Sequence, residues 1–382
     1  MNLTVIYHAG LAKNMKPFYD GFARSGVRLC VIVPKKIILD KTYAQDGVLA
    51  IAKDSFEADY NIIPVDLINV NKYSFGFRPL QLFNAIKQAK PDVIHVWNEY
   101  DGIYAAQAIF ARNILFKKAA VVAYSFENTH PGGLRGIAHA LISGYSKRSL
   151  DAVTGANSEA LARVKDGNCD IATERIFWGV DLSNFQSKER NLCRKTIGIP
   201  ENIKLIGYFG RIVADKGLDR LCEVISKDSR YHWMLIGNGS YENALNKLID
   251  SLRIRDRVYF YDSVENARLL DYYNCLDVFV LPSQTKPGWK EQYGRVLVEA
   301  MACNVAIVGS TSGAIPEVLA GYPRHLIFEE NSTSDLIDKI NQIDKLKSPE
   351  NFDLKEFLNK FSIENFVAKH IEFYDLLLRR KA

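Results

Sequence analysis

The sequence lacks the features of membrane-spanning, secreted and disulfide-stabilised proteins. No run of apolar residues approaches the eighteen or so that a spanning helix needs. The chain begins MNLTVIYHAG, which enters a strand pattern without the basic segment of a secretory signal. Its six cysteines form no C-x-x-C pair and lie mostly in apolar patterns. These absences favour reduced core thiols in a cytoplasmic protein.

The sequence also lacks a dense run of basic residues, so nucleic acid is not an expected partner. The net charge is +5, and residues 1–190 hold 23 Lys+Arg against 18 Asp+Glu, whereas the remainder holds 26 of each. The basic excess therefore belongs to the first half. It is compatible with an anionic ligand or membrane surface, and equally with an ordinary surface that is rich in lysine.

A chain of 382 residues with 48% hydrophobic and 24% charged residues is expected to form two soluble domains. The stretch 281–319 is the most informative part of the sequence, because its pattern predicts strand, loop and helix twice in succession. Such alternation predicts an open parallel sheet, whose ligands lie at the carboxyl ends of the strands. Loops at those ends also present the free backbone N–H groups of the helix starts that follow them.

Two carboxylates in this stretch are separated by seven residues. Glu291 precedes a predicted helix and Glu299 lies about two turns inside it, so both are expected to face one cleft. Carboxylates at that spacing can accept hydrogen bonds from the hydroxyls of a sugar and a ribose, while amides between them suit phosphates. The simpler alternative is a solvated face on a core helix, because glutamate is common on helices.

The same stretch resembles the retaining nucleotide-sugar glycosyltransferases of the GT-B fold, family 4. Their hallmark stands here as Glu291, QYGRVLV, then Glu299 followed by Ala-Met-Ala. The resemblance implies that Glu291 and the amides of Gln292, Tyr293 and Gly294 meet the donor sugar, and that Glu299 meets the ribose. The family usually has Gly-Phe after the first glutamate, so this departure leaves the donor sugar open.

A second motif, Gly210-Arg211 followed by Lys216-Gly217, resembles the loop in which the family clamps the donor diphosphate. Positive side chains stabilise the negative charge that gathers on a leaving nucleoside diphosphate. The alternative is a surface loop with ordinary charges. Further donor contacts are implied at turns that follow other predicted strands, namely at Gly10, Gly237 and the backbone around Val264.

In the first half, polar residues follow the predicted strand 120–125. Glu127 and His130 are candidate catalytic residues there, because a loop at a strand end can hold groups that touch substrate. A carboxylate beside the anomeric carbon could steady developing positive charge, whereas a lone histidine is just as often structural. The helix predicted over 136–150 is amphipathic, and core packing is favoured for it over membrane docking.

The resemblance implies two Rossmann-like doubly wound domains that face each other across a cleft, 1–183 on the acceptor side and 184–362 on the donor side. Residues 183–194 are predicted as a hinge, and 363–382 as a helix that crosses back onto the first domain. The implied partners are a nucleoside diphosphate sugar such as a UDP- or GDP-sugar, and a saccharide or lipid-linked saccharide acceptor. Peripheral association with the inner face of a membrane is compatible with the sequence.

The implied activity is hexosyl transfer with retention of configuration, in polysaccharide or glycoconjugate biosynthesis and without a cofactor. No Asp-x-Asp motif occurs, so a metal site for the diphosphate is not predicted, and Arg211 and Lys216 are expected to carry its role. Two alternatives stay open: a nucleotide-sugar 2-epimerase of the same fold, and a non-catalytic subunit that binds sugar nucleotides.

Overall fold

The computed structural model describes residues 1–38, 48–50, 59–130, 132–166 and 170–381. These residues divide into two compact units. The first comprises 1–179 together with 363–382, and the second comprises 180–362.

The first unit is built on a parallel sheet of seven strands in the order β5-β2-β1-β6-β7-β8-β9. A separate antiparallel pair is formed by β3 and β4. The elements are β1 (Asn2–Ile6), β2 (Arg28–Pro34), β3 (Lys36–Ile38), β4 (Val48–Ala50), β5 (Asn61–Val65), β6 (Val93–Val96), β7 (Ala120–Ser125), β8 (Ala152–Gly155) and β9 (Ala172–Arg175), with helices α1 (Lys16–Arg24), α2 (Pro79–Ala89), α3 (Ile103–Leu115), α4 (Gly133–Lys147) and α5 (Ser158–Lys165).

The second unit is built on a parallel sheet of six strands in the order β12-β11-β10-β13-β14-β15. Its strands are β10 (Lys204–Phe209), β11 (Tyr231–Ile236), β12 (Val258–Tyr261), β13 (Val278–Leu281), β14 (Ala306–Ser310) and β15 (His325–Phe328), and its helices are α6 (Arg190–Ile197), α7 (Asp219–Lys227), α8 (Glu242–Ser251), α9 (Asn266–Asn274), α10 (Arg295–Ala302), α11 (Ile315–Leu319), α12 (Thr333–Gln342) and α13 (Leu354–Asn359).

The central strands of both sheets are buried, which explains their sequences. Strands β7, β13 and β14 consist of buried residues throughout. A parallel strand that is covered on both faces needs a continuous apolar run rather than alternation, and AVVAYS and VFVL are such runs. The predicted strands 120–125 and 278–281 therefore coincide with β7 and β13.

The last helix, α14 (Ile363–Lys381), belongs to the first unit and packs against α1. A buried polar chain also ties it to the sheet. The Thr154 hydroxyl lies 3.1 Å from His370 Nε2 and 3.5 Å from His95 Nε2, and His370 Nδ1 donates to the Phe366 carbonyl at 2.8 Å. Because water cannot reach these groups, each satisfied hydrogen bond favours one docked position of the helix.

Residues 183–194, which the sequence analysis predicted as a hinge, lie inside the second unit, and α6 begins within them. Their role as a hinge stays a prediction. The Glu189 carboxylate caps this helix by accepting from the Asn191 amide, and the Arg194 guanidinium is buried against Asp277 at 2.7 Å. The polar composition of this segment therefore reflects a helix cap and a buried ion pair.

Among the described residues, no helix combines the length and the apolar character needed to cross a bilayer. The five cysteines in the described part of the chain are buried and form no disulfide.

Candidate functional site

The strand order of the second sheet places two loops side by side. The chain runs outward from β10 through β11 to β12, then returns to add β13, β14 and β15 on the other side of β10. The order reverses between β10 and β13, and a crevice outside the carboxyl ends of the strands is expected at such a switch point. The loop after β10 carries Arg211 and Lys216, and the loop after β13 leads to Glu291.

A buried ion pair joins these loops. The Lys216 ammonium lies 2.5 Å from Glu291 Oε2, although the two residues are 75 positions apart in sequence. The Ser283 hydroxyl donates to the same carboxylate oxygen at 2.7 Å. Only 11% of the Lys216 side chain and 10% of the Glu291 side chain are exposed. The structure thus brings together two residues that the sequence assigned to the diphosphate and the sugar.

The surroundings of Glu291 keep its carboxylate charged. Burial alone would raise its pKa, but the Lys216 ammonium, the Ser283 hydroxyl and the Arg211 guanidinium together outweigh burial, so the pKa of Glu291 lies below its ordinary value. Lys216 also lies 4.8 Å from the ring centre of Trp289, a cation–π contact. Arg211 itself is exposed, so one cation of the motif is fixed and the other faces solvent.

Two glycines allow the loops to approach this closely. A Cβ on Gly217 would lie 2.2 Å from the Pro282 carbonyl oxygen, and a Cβ on Gly313 would lie 2.1 Å from the Glu291 carbonyl oxygen. Both residues also have positive φ, +64° and +51°, which disfavours other side chains. With Gly313 in place, the Ala314 amide donates to the Glu291 carbonyl at 2.9 Å. The Ser-Gly turn therefore positions the backbone of Glu291.

Glu299 is held by different partners. The Tyr273 hydroxyl donates to Glu299 Oε2 at 2.8 Å, and Arg295 lies 3.2 Å from Oε1. Burial, with the Glu299 charge and hydrogen bond, raises the pKa of Tyr273 well above its ordinary value, so the tyrosine stays a donor. Glu299 lies in α10, which begins at Arg295, so it stands about one turn inside the helix rather than the two turns predicted.

The residues between the two glutamates lead into this helix. Gln292 is half-buried and Tyr293 is buried. Gly294 has φ +77° and is the cap residue before α10. Their contact with a donor sugar stays a prediction.

The other predicted donor-binding positions have structural reasons of their own. A Cβ on Gly237 would lie 1.9 Å from the Gly210 carbonyl, so these two loops pack directly on each other. A Cβ on Gly10 would lie 2.6 Å from Val33 and 2.8 Å from the Tyr19 hydroxyl. Val264 follows β12 and is half-buried. Donor contact at all four positions stays a prediction.

In the first unit the structure does not bring Glu127 and His130 into one cluster. The Glu127 carboxylate accepts from the Thr129 hydroxyl at 2.7 Å, and His130 Nε2 lies 3.1 Å from Asp166. The His130 side chain is 67% exposed and that of Asp166 is 58% exposed. Their catalytic roles stay predictions.

Glu99 was missed by sequence reasoning, although it anchors the loop that holds these candidates. Its carboxylate accepts from the Ser125 hydroxyl at 2.5 Å, from the Phe126 amide at 2.8 Å and from the Glu127 amide at 3.1 Å. Burial raises the pKa of Glu99 to about 7, with a smaller contribution from Asp101, while these hydrogen bonds lower it. The available signal was its position directly after a buried strand.

His8 and Asn98 were also missed, and they follow the two strands between which the first sheet reverses, β1 and β6. The Asn98 amide donates to His8 Nδ1 at 2.5 Å. Burial lowers the pKa of His8 to about 4. This histidine is therefore neutral at physiological pH.

Comparison with known proteins finds a family match within the second unit. Residues 189–357, which are less than half of the chain, match the family model described as glycosyl transferases group 1. The ion pair between Lys216 and Glu291 lies inside the matched segment, as do Arg211 and Glu299.

Relatives of known activity match parts of the chain. D-inositol 3-phosphate glycosyltransferase of Mycolicibacterium smegmatis is 28% identical over 170 residues, which is 43% of this chain and 38% of the relative. Lipopolysaccharide core biosynthesis mannosyltransferase LpsB of Rhizobium meliloti is 26% identical over 251 residues, 60% of this chain and 66% of the relative. The chain thus spans less than two thirds of either relative.

Solved structures match nearly the whole chain. Sucrose-phosphate synthase from Thermosynechococcus elongatus superposes with a TM-score of 0.73 at 14% identity, covering 99% of both chains. Anabaena HepE in complex with UDP and glucose superposes with a TM-score of 0.70 at 15% identity, covering 98% of this chain and 100% of HepE. These likenesses confirm the predicted GT-B fold with two Rossmann-like domains.

Proposed function

We propose that this protein is a retaining glycosyltransferase that moves a sugar from a nucleoside diphosphate sugar to an acceptor hydroxyl. The observation that carries the proposal is the buried Lys216–Glu291 pair, with Arg211 beside it, at the switch point of the second sheet. The match of residues 189–357 to glycosyl transferases group 1 supports the reaction class.

The residues divide the work by charge. Arg211 and Lys216 balance the negative charge that develops on the diphosphate as the glycosidic bond breaks, without a bound metal. Glu291 accepts hydrogen bonds from donor-sugar hydroxyls, and Glu299 from the ribose. When Lys216 binds the diphosphate, the Ser283 hydroxyl continues to donate to Glu291. The lowered pKa of Glu291 supports its role as an acceptor.

Retention is proposed to proceed on the front face of the donor. The leaving phosphate takes the proton from the acceptor hydroxyl as the new glycosidic bond forms, so no separate protein base is needed. The family resemblance and the acidic and basic groups in the second unit support this route. UDP- and GDP-sugars are the donor classes to test first.

A saccharide or lipid-linked saccharide is the proposed acceptor, in polysaccharide or glycoconjugate biosynthesis at the inner face of a membrane. The relatives support this setting, because LpsB is named as a lipopolysaccharide core enzyme. A relative from Corynebacterium glutamicum, 27% identical over 204 residues, is named as a phosphatidylinositol monomannoside mannosyltransferase. The basic excess in the first half suits such an anionic acceptor.

The deciding experiment is a thermal-shift panel of UDP, GDP, ADP and dTDP and of their common sugars. A ligand at a hundredfold excess over its dissociation constant adds about 2.7 kcal/mol of stability. Arg211→Ala is expected to reduce the shift while leaving the unliganded midpoint unchanged, because Arg211 is exposed. Arg230→Ala is the matched control, because this exposed arginine lies just before β11, at the amino ends of the strands rather than at their carboxyl ends.

Product analysis then separates the alternatives. A transferase releases free sugar slowly when the acceptor is absent. A 2-epimerase converts the donor into its isomer, and a binding subunit leaves the donor unchanged after long incubation. A complete lack of thermal shift with every nucleotide would contradict the proposal.

A further inference from the structure

Helix α4 buries almost nothing. Among its described side chains only Ser146 is buried, whereas Leu141 is 74% exposed and Ile137 is 60% exposed. Tyr145 is exposed as well, and the spacing of four places these three residues on one face. Core packing, which the sequence favoured for this helix, is therefore wrong. A helix in a protein owes most of its stability to packing an apolar face, but within the described part of the chain Ile137 and Leu141 of this face stay mostly exposed.

The neighbouring helix exposes an apolar edge of its own. Helix α3 packs against α4, and its Phe110 and Ile114, one turn apart, are 60% and 55% exposed. The Arg112 guanidinium joins the carboxyl ends of the two helices by donating to the Ser149 carbonyl. Single exposed apolar residues are ordinary, but a group on two packed helices marks an interaction surface. We call Phe110, Ile114, Ile137, Leu141 and Tyr145 the apolar stripe.

The two helices that carry the apolar stripe contain no acidic residue of their own, although Asp101 lies 3.3 Å from His139 and Asp151 lies 3.6 Å from Arg112. The segments 102–126 and 128–150 together contain six Lys or Arg and no Asp or Glu, although the whole chain holds 49 basic and 44 acidic residues. Lys117, Lys118 and Arg148 are exposed, and they follow the carboxyl ends of α3 and α4. The partner of this surface should therefore be apolar and negatively charged.

We propose that α3 and α4 form a docking surface for an anionic lipid bilayer. The apolar stripe enters the headgroup region, while Lys117, Lys118 and Arg148 lie against the lipid phosphates. A second copy of the chain suits the surface less well, because a two-fold contact brings like charges together. The proposal rests on the proposed function, in that a lipid-linked acceptor would be met at this membrane.

Vesicle sedimentation of the full chain tests the proposal. We expect binding to vesicles of phosphatidylcholine mixed with phosphatidylglycerol, weak binding to phosphatidylcholine alone, and a decrease as salt rises. Each lysine near an anionic surface strengthens binding about fivefold. The double variant Lys117→Gln/Lys118→Gln should therefore bind about twenty-five-fold more weakly.

Matched variants test whether vesicle binding needs the apolar stripe or merely any exposed apolar side chain. Leu141→Asp and Phe110→Asp are expected to abolish sedimentation with anionic vesicles. Leu80→Asp and Leu192→Asp are the controls, because these leucines are 81% and 62% exposed on α2 and α6, outside the apolar stripe. All four variants replace exposed side chains, so their thermal midpoints should match that of the wild type.

The proposal is overturned if the wild type does not bind anionic vesicles, which is the result expected if the apolar stripe binds an acidic protein instead. It is also overturned if Leu80→Asp and Leu141→Asp lose vesicle binding equally. A concentration-dependent dimer that Leu141→Asp dissolves, without vesicle binding, would assign the stripe to a second copy. Nucleotide thermal shifts in vesicle-free solution keep the two hypotheses apart. Vesicle binding without any shift removes the proposed function, and shifts without vesicle binding remove only the docking surface.

Discussion

The two units present their candidate catalytic residues in opposite ways. In the second unit, Lys216 and Glu291 are buried, paired at 2.5 Å and joined by Ser283. In the first unit, His130 meets Asp166 at 3.1 Å where most of both side chains is exposed. The side chains of a buried pair are held in position before any ligand binds. An exposed pair is screened by water and does little to fix the positions of its side chains.

This contrast matches the chemistry proposed for each unit. Stabilising charge on a leaving diphosphate works best when the responding groups are already in position, because no reorganisation is then needed during the reaction. An acceptor loop can adapt to its ligand, and Glu99 fixes only the backbone at the start of that loop. The donor side should therefore be sensitive to single substitutions and the acceptor side tolerant.

The largest expected effect is at the buried pair. Lys216→Met keeps the side-chain volume but leaves the Glu291 charge buried without its cation, which should lower the free energy of unfolding by about 3 kcal/mol. Donor turnover should fall at least about a hundredfold. Urea denaturation and donor hydrolysis measure the two effects. Lys369→Met is the matched control, because it removes a lysine from an exposed pair with Glu372, and its thermal midpoint should not change.

The pH dependence of this variant sharpens the test. Without Lys216, burial should raise the folded pKa of Glu291 above its unfolded value of 4.5. A raised carboxyl pKa contributes stability below the unfolded pKa and loses it as pH rises. The stability deficit of the variant relative to the wild type should therefore be largest near neutrality and should shrink as pH falls below 4.5. Adding Glu291→Gln should restore stability but not turnover; a double variant no more stable than Lys216→Met would contradict the buried-charge explanation.

The second effect concerns the buried histidines of the first unit. Burial lowers the pKa of His370 to about 3, below the ordinary value of 6.5, so the unfolded chain takes up its proton first as pH falls. Stability is therefore full above pH 6.5 and declines below it, by about 1.5 kcal/mol between pH 6.5 and 5 for one such histidine. His370→Phe should remove that part of the decline in urea denaturation curves.

Other groups act on the same range, so the comparison must be made between variants. Burial lowers the pKa of His95, and that of His8 to about 4, and both histidines add to the decline. The pKa of Glu99, raised to about 7, acts in the opposite direction, because its contribution grows as pH falls. An unchanged difference between wild type and His370→Phe from pH 6.5 to 5 would contradict the assignment.

A smaller effect is expected at the ribose side of the donor site. Tyr273→Phe removes the hydrogen bond to Glu299, which is worth about 1 kcal/mol, or about fivefold in nucleotide affinity if Glu299 meets the ribose. Calorimetric titration with the nucleotide found in the thermal-shift panel measures it. Tyr231→Phe is the matched control, because it removes a partly buried hydroxyl that donates to Asn341 at 2.6 Å, away from Glu299. Equal losses in both variants would count against a role for Glu299.

The contrast also explains what the sequence could predict. Arg211 and Lys216 were found because they follow a predicted strand, and Glu291 and Glu299 because they stand before and within a predicted helix, in motifs that fix their spacing. The contact between Lys216 and Glu291 could not be derived, because it depends on β10 and β13 being neighbours in the sheet. Tyr273 escaped notice for the same reason, since its partner comes from another helix.

In two segments the local composition does not show what the residues pack against. Residues 183–194 have the composition of a linker, but Arg194 pairs with Asp277, 83 positions away, and that pairing makes its burial favourable. The apolar face of α4 has the period of a core helix, although most of the Ile137 and Leu141 side chains is exposed. Periodicity tells which face of a helix is apolar, but the tertiary structure decides what that face meets.

The smallest expected effect is at His130, and it tests the tolerant side of the comparison. His130→Ala should leave the thermal midpoint and donor hydrolysis unchanged, because the pair with Asp166 is exposed and screened. If His130 touches the acceptor, its loss should raise the acceptor KM about threefold to tenfold, the value of one exposed hydrogen bond. Asp166→Ala separates the routes, since a contact made by His130 itself survives that change. An acceptor KM equal to that of the wild type in both variants would leave Glu127 as the candidate in this loop.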